Sequence, residues 1–164
     1  MKVECEGNPA RVKNVSCYVK AVNWNMGEVN MDCHLTVTVR NPMIRMEILR
    51  KDYSNQYQPF LVDVRMDFCN VIQKRSFVPY AVILWKILKQ YSNLNHSCPF
   101  TGPVRVRNAY LDSNHLPPFP HGFYQFRFTY SDSNSTSSEL IGSAKLFLQV
   151  MEPIKSKRKT VPKN

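Results

Sequence analysis

Residues 60 to 68 read Phe-Leu-Val-Asp-Val-Arg-Met-Asp-Phe, and this stretch decides the fold class. Every second side chain from Phe60 to Phe68 is apolar, whereas Asp63, Arg65 and Asp67 share the other parity. Successive side chains of a β-strand point to opposite faces, so this alternation indicates a strand with one buried face and one face in water. The stretch therefore predicts a β protein with its core on one side of this strand.

The same alternation recurs in six other segments, and turn-forming residues separate them. The predicted strands are Val12–Val22, Glu28–Arg40, Ile44–Arg50, Pro59–Phe68, Val104–Leu111, Phe123–Tyr130 and Leu140–Val150. About seven alternating strands at this spacing predict a mainly β fold. We expect an antiparallel sandwich of two sheets or an open cup.

One helix is predicted to interrupt the strands, over residues 78 to 91. Ser76 is a suitable N-cap, and Pro79 suits the first helical turn. Apolar side chains occupy much of the helix circumference, so the helix must be covered on more than one side. Two interpretations stay open, a helix that plugs one end of a solid sandwich and a lid over an apolar cavity.

The length and charge of the chain indicate one domain with a basic tail. The 164 residues can enclose a sizeable core, and we expect one domain over residues 1–152. Residues 153–164 are predicted to be a disordered tail that supplies five of the ten net positive charges. The basic run Lys155–Lys159 also resembles a nuclear localisation signal, which leaves an intracellular basic protein as an alternative. No segment reaches the roughly 18 apolar residues that span a bilayer.

The five cysteines indicate two disulfides and one free thiol. Cys33 shares the apolar parity of its strand, so we interpret it as a buried thiol that packs as a small apolar side chain. The other four cysteines allow three pairings. We favour Cys5–Cys17 and Cys69–Cys98, since each pair closes a local segment. Five reduced cysteines in a cytosolic protein are the alternative.

Three N-glycosylation sequons support an extracellular location. They begin at Asn14, Asn95 and Asn134, and each is expected in a segment that faces solvent. The first residues, Met-Lys-Val-Glu-Cys, lack the apolar segment of a signal peptide. We therefore expect a secreted protein recorded either as a trimmed mature form or from a start inside the gene.

Catalytic and metal-binding motifs are not evident. The sequence contains no Gly-x-Ser-x-Gly elbow, phosphate-binding glycine loop or His-Glu-x-x-His motif. His96 and Cys98 make a poor nucleophile pair, because Cys98 is expected in a disulfide. A zinc site built from these two residues with Cys33 and His34 is disfavoured, since neighbouring strand residues point to opposite faces. We expect neither an enzyme nor a metal or other cofactor.

Nucleic acid is also not an expected partner. Arg105 and Arg107 form a basic strand face near aromatic residues, a combination that can suit single-stranded RNA. The aromatic side chains, however, share the buried parity and are expected to pack in the core.

Four groups of residues carry a resemblance to a known family. They are Tyr57-Gln58-Pro59-Phe60-Leu61, Val64-x-x-Asp67-Phe68-Cys69, Tyr91-Ser92-Asn93-Leu94-Asn95-His96-Ser97-Cys98-Pro99 and Leu116-Pro117-x-x-Pro120-x-Gly122-x-Tyr124. Over about residues 5 to 150, the chain resembles an insect family of secreted proteins of unknown function. That family is similar to the ML lipid-recognition proteins, which include the ganglioside activator and the insect Che-B chemosensory proteins. The chain departs from the family in lacking a signal peptide and in the extra Cys33.

The resemblance implies a β-sandwich or β-cup whose interior holds a lipid or another apolar molecule. We therefore expect a secreted, non-enzymatic protein that binds a hydrophobic ligand between two sheets, in chemosensory or lipid-handling roles. The predicted cavity wall consists of Phe60, Val62, Met66, Phe68, Trp85, Phe126 and Phe128. The alternative is a secreted module with a solid core that recognises an extracellular protein or a glycan through loops such as 112–121.

Overall fold

A computed structural model of the protein describes residues 1–24, 26–73, 79–110, 118–133 and 138–151. These ranges contain eight strands and two helices. In chain order they are β1 (Lys2–Gly7), β2 (Val12–Asn23), β3 (Met26–Val39), β4 (Pro42–Lys51), β5 (Tyr57–Asp67), α1 (Phe68–Ile72), α2 (Pro79–Tyr91), β6 (Phe100–Ala109), β7 (Gly122–Ser133) and β8 (Ser138–Val150). The predicted basic tail, Ser76, Asn134 and most of the 112–121 loop lie outside the described residues.

The strands form two antiparallel sheets, which confirms the predicted fold class. The larger sheet has the strand order β1-β8-β7-β4-β5, and the smaller sheet has the order β2-β3-β6. Every neighbouring pair is antiparallel. All seven predicted strands are present with slightly different ends, and the predicted helix is α2. The pattern of polar and apolar residues did not predict β1 or the short helix α1.

Strand β5 contains a β-bulge, and its apolar side chains lie on the same face of the sheet before and after this bulge. Between Glu47 and Leu49, β4 advances by two residues, whereas the paired segment of β5 runs from Asp63 to Pro59. Two extra residues in β5 preserve the parity of the strand, because side chains alternate with a period of two. Leu61, at the centre of this bulge, has φ +60° and is 86% exposed.

The core between the sheets contains two groups of aromatic rings. One group surrounds Tyr124, whose ring centroid lies 5.5 Å from that of Phe60 and 5.4 Å from that of Phe119. The other surrounds Phe68, which is 5.5 Å from Trp85 and 5.9 Å from Phe100. Offset and edge contacts of this kind stabilise a core beyond the area that they bury.

Asp67 ends β5 and begins α1. Its carboxylate accepts hydrogen bonds from the backbone N–H groups of Cys69 and Asn70, at 3.1 and 3.3 Å. An aspartate in this position satisfies N–H groups that have no partner within the helix. Phe68 was predicted as the last residue of a strand, but this cap makes it the first residue of α1.

Both predicted disulfides are present. Cys5–Cys17 joins β1 of the larger sheet to β2 of the smaller sheet, and Cys69–Cys98 joins α1 to the segment that follows α2. Cys33 is the free cysteine, as predicted. Neither helix in the described ranges combines the length and the apolar character needed to cross a membrane.

Candidate functional site: an apolar cavity between the sheets

A cavity of about 130 Å³ lies between the two sheets, at the end of the sandwich that α2 covers. The smaller sheet contributes wall residues that include Cys33, Leu35 and Val104, and the larger sheet contributes residues that include Ile44, Tyr130 and Ile141. Phe68 of α1, Leu88 of α2 and Leu94 complete the wall on the helical side. Both sheets and both helices therefore enclose the same space.

The wall of the cavity is almost entirely apolar. Among the described residues that line it, no side chain is lysine, arginine or histidine. Glu6 also lines the cavity, but it is an exposed residue on β1, which is an edge strand of the larger sheet. Cys33 of β3 and Tyr130 of β7 supply a thiol and a phenol from opposite sheets.

Both of these groups are neutral at neutral pH. Burial raises the pKa of the Cys33 thiol, and the nearby negative charge of Asp32 raises it further. Burial also raises the pKa of the Tyr130 phenol far above its usual range, with a smaller contribution from Cys33. Apart from the exposed Glu6, the described lining residues therefore offer polar atoms but no charge.

The segment after α2 forms one rim of the cavity, and Asn93 anchors it to β6. The Asn93 side chain donates to the Pro103 carbonyl at 2.7 Å and accepts from the Arg105 N–H at 2.9 Å. Its backbone N–H donates to the Arg105 carbonyl at 3.2 Å. These three hydrogen bonds hold Leu94, the next residue, against the cavity. The disulfide of Cys98 fixes the other end of the segment.

Residues 44–126 match the family described as "Protein of unknown function (DUF1091)". The match covers half of the chain. The chain belongs to the DUF1091 family. A search of curated proteins found no match. The region shared with DUF1091 runs from β4 into β7, so it includes both helices, the Cys69–Cys98 disulfide and the Asn93 anchor. The helical side of the cavity in this DUF1091 protein therefore belongs to the family-defining region.

Of the seven wall residues that the sequence predicts, the structure places Phe68 at this cavity. Val62, Met66 and Phe126 are buried in the core, and Phe60, Trp85 and Phe128 pack against it. Phe60 and Phe126 belong to the aromatic group around Tyr124 and Phe119. These six residues thus lie in the sandwich interior but do not line the described cavity.

The sequence did not predict Tyr130 or Leu88 as part of the site, nor the wall residues from β3, β6 and β8. The alternation of polar and apolar residues could have identified Leu35, Val104 and Tyr130 as inward-facing, but not Ile141, which lies beside a register shift between β7 and β8. It does not show where along a strand the opposite sheet leaves a gap. Asn93 belongs to the motif from Tyr91 to Pro99, but its hydrogen bonds to β6 have no signal in the sequence.

The described residues offer no cluster of three or more His, Cys, Asp or Glu side chains that could hold a metal ion. Cys98 is bonded to Cys69, so it cannot act with His96 as a nucleophile. The His96 ring instead packs on Phe100, with 4.8 Å between the centroids. Cys33 lines the cavity while His34 is exposed, as the strand alternation predicts.

Two of the three sequons have the accessibility that a glycan requires. Asn14 is exposed and has φ +54°, at an irregularity between Lys13 and Ser16 in the pairing of β2 with β3. Asn95 is exposed in the rim segment. Their glycosylation stays a prediction.

Proposed function

We propose that this protein is secreted and, without acting as an enzyme, binds a hydrophobic ligand between its two sheets. The observation that carries the proposal is the apolar cavity of about 130 Å³ between the two sheets. Protein cores contain few voids larger than a water molecule, and empty volume lowers stability. Apolar pockets with a few polar groups are typical of sites for small molecules.

Helix α2 covers this site. Leu88 reaches the cavity, while Ala81, Leu84 and Trp85 pack on the core. On the other side of the helix, Val82 is 39% exposed. The position of α2 over the cavity supports the lid interpretation. In the proposed mechanism, α2 and the rim segment move to admit the ligand while the two sheets keep their pairing.

The disulfides support the extracellular part of the proposal. Stable disulfides are typical of secreted proteins, and two of them here join separate parts of the sandwich. Asn14 and Asn95 are accessible to glycosylation enzymes. We also propose that the protein is related to the ML and Che-B proteins. The two-sheet fold and the motif from Tyr91 to Pro99 support this relationship.

The test uses protein secreted from insect cells. Organic extracts are analysed by mass spectrometry for co-purified small molecules, and thermal unfolding is measured with a panel of apolar compounds of increasing size. We expect compounds that raise the melting temperature of the wild type but not of Cys33→Phe, in which a ring occupies the cavity. Thr38→Phe is the matched control, because Thr38 is exposed on the same strand. An empty extract together with no stabilising compound would contradict the proposal.

A second candidate function is recognition of another macromolecule by the protein surface. Tyr18 and Val22 of β2 are 56% and 48% exposed, and Trp24, which follows β2, is 75% exposed. Single exposed apolar residues are common, but three along one edge of the smaller sheet favour a contact surface. If Trp24→Ser abolished binding to a partner while Cys33→Phe had no effect, this second function would be favoured.

A further inference from the structure

The size of the cavity limits the ligand, and this inference rests on the proposed function. The cavity volume of about 130 Å³ is close to that of an engineered apolar cavity, about 150 Å³, that binds benzene. A molecule of about six to eight non-hydrogen atoms is therefore of the right size. A long acyl chain is several times larger and would have to extend outside the described walls.

The composition of the wall limits the charge of the ligand. A carboxylate loses its hydration when it enters an apolar cavity, and this cost is recovered only by a counter-charge or several hydrogen bonds. The described lining residues include no basic side chain that could provide either. The apolar surface of so small a ligand is too limited to offset an unpaired charge. A neutral molecule is therefore favoured over a fatty-acid anion.

Tyr130 supplies one hydrogen-bond donor to this space. Tyr124 and Tyr130 both lie on the inner face of β7, but their hydroxyl groups differ in hydrogen bonding. The Tyr124 hydroxyl donates to the Pro120 carbonyl at 2.7 Å. Within the described part of the chain, the Tyr130 hydroxyl makes no hydrogen bond, although Tyr130 lines the cavity. Buried tyrosine hydroxyls usually have a partner, so the Tyr130 hydroxyl is available to a ligand.

We infer that the cavity takes a small, uncharged molecule with one hydrogen-bond acceptor, such as a ketone, an aldehyde or an ester. The Tyr130 hydroxyl donates a hydrogen bond to the carbonyl oxygen, and the hydrocarbon part contacts Leu35, Val104 and Ile141. Cys33, the free cysteine, lies in the same wall and reports whether the cavity is occupied.

The test compares cyclohexanone, which has an acceptor, with methylcyclohexane, which has the same number of heavy atoms and no acceptor. Binding is measured by NMR titration and by protection of Cys33 from alkylation by iodoacetamide. We expect Tyr130→Phe to weaken cyclohexanone binding about five- to tenfold, as expected for one lost hydrogen bond, and to leave methylcyclohexane binding unchanged. Tyr18→Phe, which removes an exposed phenol, should change neither.

Hexanoate and palmitate at pH 7 test the limits on charge and size. The inference predicts that neither binds with an affinity near that of cyclohexanone. Tight binding of either acid would overturn the inference and leave the proposed function standing. If Tyr130→Phe weakened the binding of cyclohexanone and methylcyclohexane equally, the proposed role of the hydroxyl would be overturned. If no compound binds or protects Cys33, the proposed function itself fails.

Discussion

Leu61 combines an exposed side chain with a left-handed backbone conformation. Within the described ranges, the other non-glycine residues with positive φ are Asn14, Asn55 and Asn108, and asparagine tolerates this conformation. For a residue such as leucine the conformation costs roughly 1 kcal/mol, because its Cβ crowds the backbone. We expect Leu61→Gly to raise the free energy of unfolding by up to about 0.5 kcal/mol, measured by urea denaturation, because the conformational entropy that glycine loses on folding offsets part of the relieved strain.

Leu140→Gly is the matched control for this prediction. Leu140 is 52% exposed in β8 and does not have positive φ. Glycine at a strand position with negative φ lowers stability by roughly 0.5–1 kcal/mol, so the two substitutions should have opposite signs. A loss of stability in both would show that the β5 bulge is not strained at Leu61.

Tyr130 should make the stability of the protein sensitive to alkaline pH. Burial, followed by the proximity of Cys33, raises the pKa of Tyr130 in the folded state. Near pH 10 the unfolded chain releases the phenol proton while the folded protein retains it. Stability therefore falls as the pH rises above about 10, and it continues to fall until the folded-state pKa is reached.

Denaturation at a series of pH values from 8 to 11 tests this prediction. Tyr130→Phe lacks the titrating group, so its stability relative to the wild type should increase over this interval. Tyr18→Phe, which removes a phenol that is 56% exposed, provides the comparison for loss of a surface phenol. Parallel pH profiles for the wild type and Tyr130→Phe would contradict the prediction.

At the scale of elements, side-chain parity was enough to predict the long strands and α2. It did not reveal β1, in which Val3 is the single large aliphatic residue of a six-residue strand. It also did not reveal α1, because five residues are too few to show a helical period. Short elements are determined by what they pair with or by their caps, and the local sequence contains little of that information.

Two buried polar residues show where parity misleads. Gln125 is on the outer face of β7, but only 4% of it is exposed. The Tyr57 and Phe147 rings, 5.8 Å apart, approach each other on this sheet although β4 and β7 lie between their strands. Asn30 is 2% exposed, and its side-chain oxygen accepts from the Asn108 backbone N–H at 3.2 Å. Both burials depend on residues that are distant in sequence.

Gly142 allows β1 to pair closely with β8. A Cβ atom at this position would lie 2.6 Å from the Glu6 carbonyl oxygen, a backbone atom that cannot move independently. Gly142→Ala should therefore displace β1 and lower the free energy of unfolding by about 1–3 kcal/mol, which chemical denaturation would measure.

The neighbouring substitution Ser143→Ala is the control, since it adds no atom to the backbone contact. It should change stability by less than about 0.5 kcal/mol. Because Gly142 also lines the cavity, its substitution should increase the rate at which Cys33 is alkylated. An unchanged melting temperature for Gly142→Ala would show that β1 does not depend on this close approach.

At the scale of the whole molecule, the sequence predicted a two-sheet interior but not the position of its empty part. Phe68 is the predicted wall residue that lines the cavity. The other six predicted residues lie where opposing side chains fill the space, such as the ring of Phe119 against Phe60 and Phe126. A cavity is defined by which side chains fail to meet across the two sheets, and that depends on sheet register and tilt.

The Cys69–Cys98 disulfide should stabilise both the fold and the cavity rim. It closes a segment with a sequence separation of 29 that includes α2 and Leu94. On the chain-entropy account, a loop of this length contributes about 3 kcal/mol. We therefore expect the double substitution Cys69→Ala with Cys98→Ala to lower the free energy of unfolding by about that amount and to accelerate alkylation of Cys33.

Cys33→Ala is the control for stability, since it removes a sulfur atom without breaking a crosslink. A thiol count provides the second measurement. Wild-type protein unfolded without reductant should show one reactive thiol, and reduction should raise the count to five. Because protein made in an oxidising compartment keeps both crosslinks, five thiols before reduction would contradict the disulfides and, with them, the secreted location.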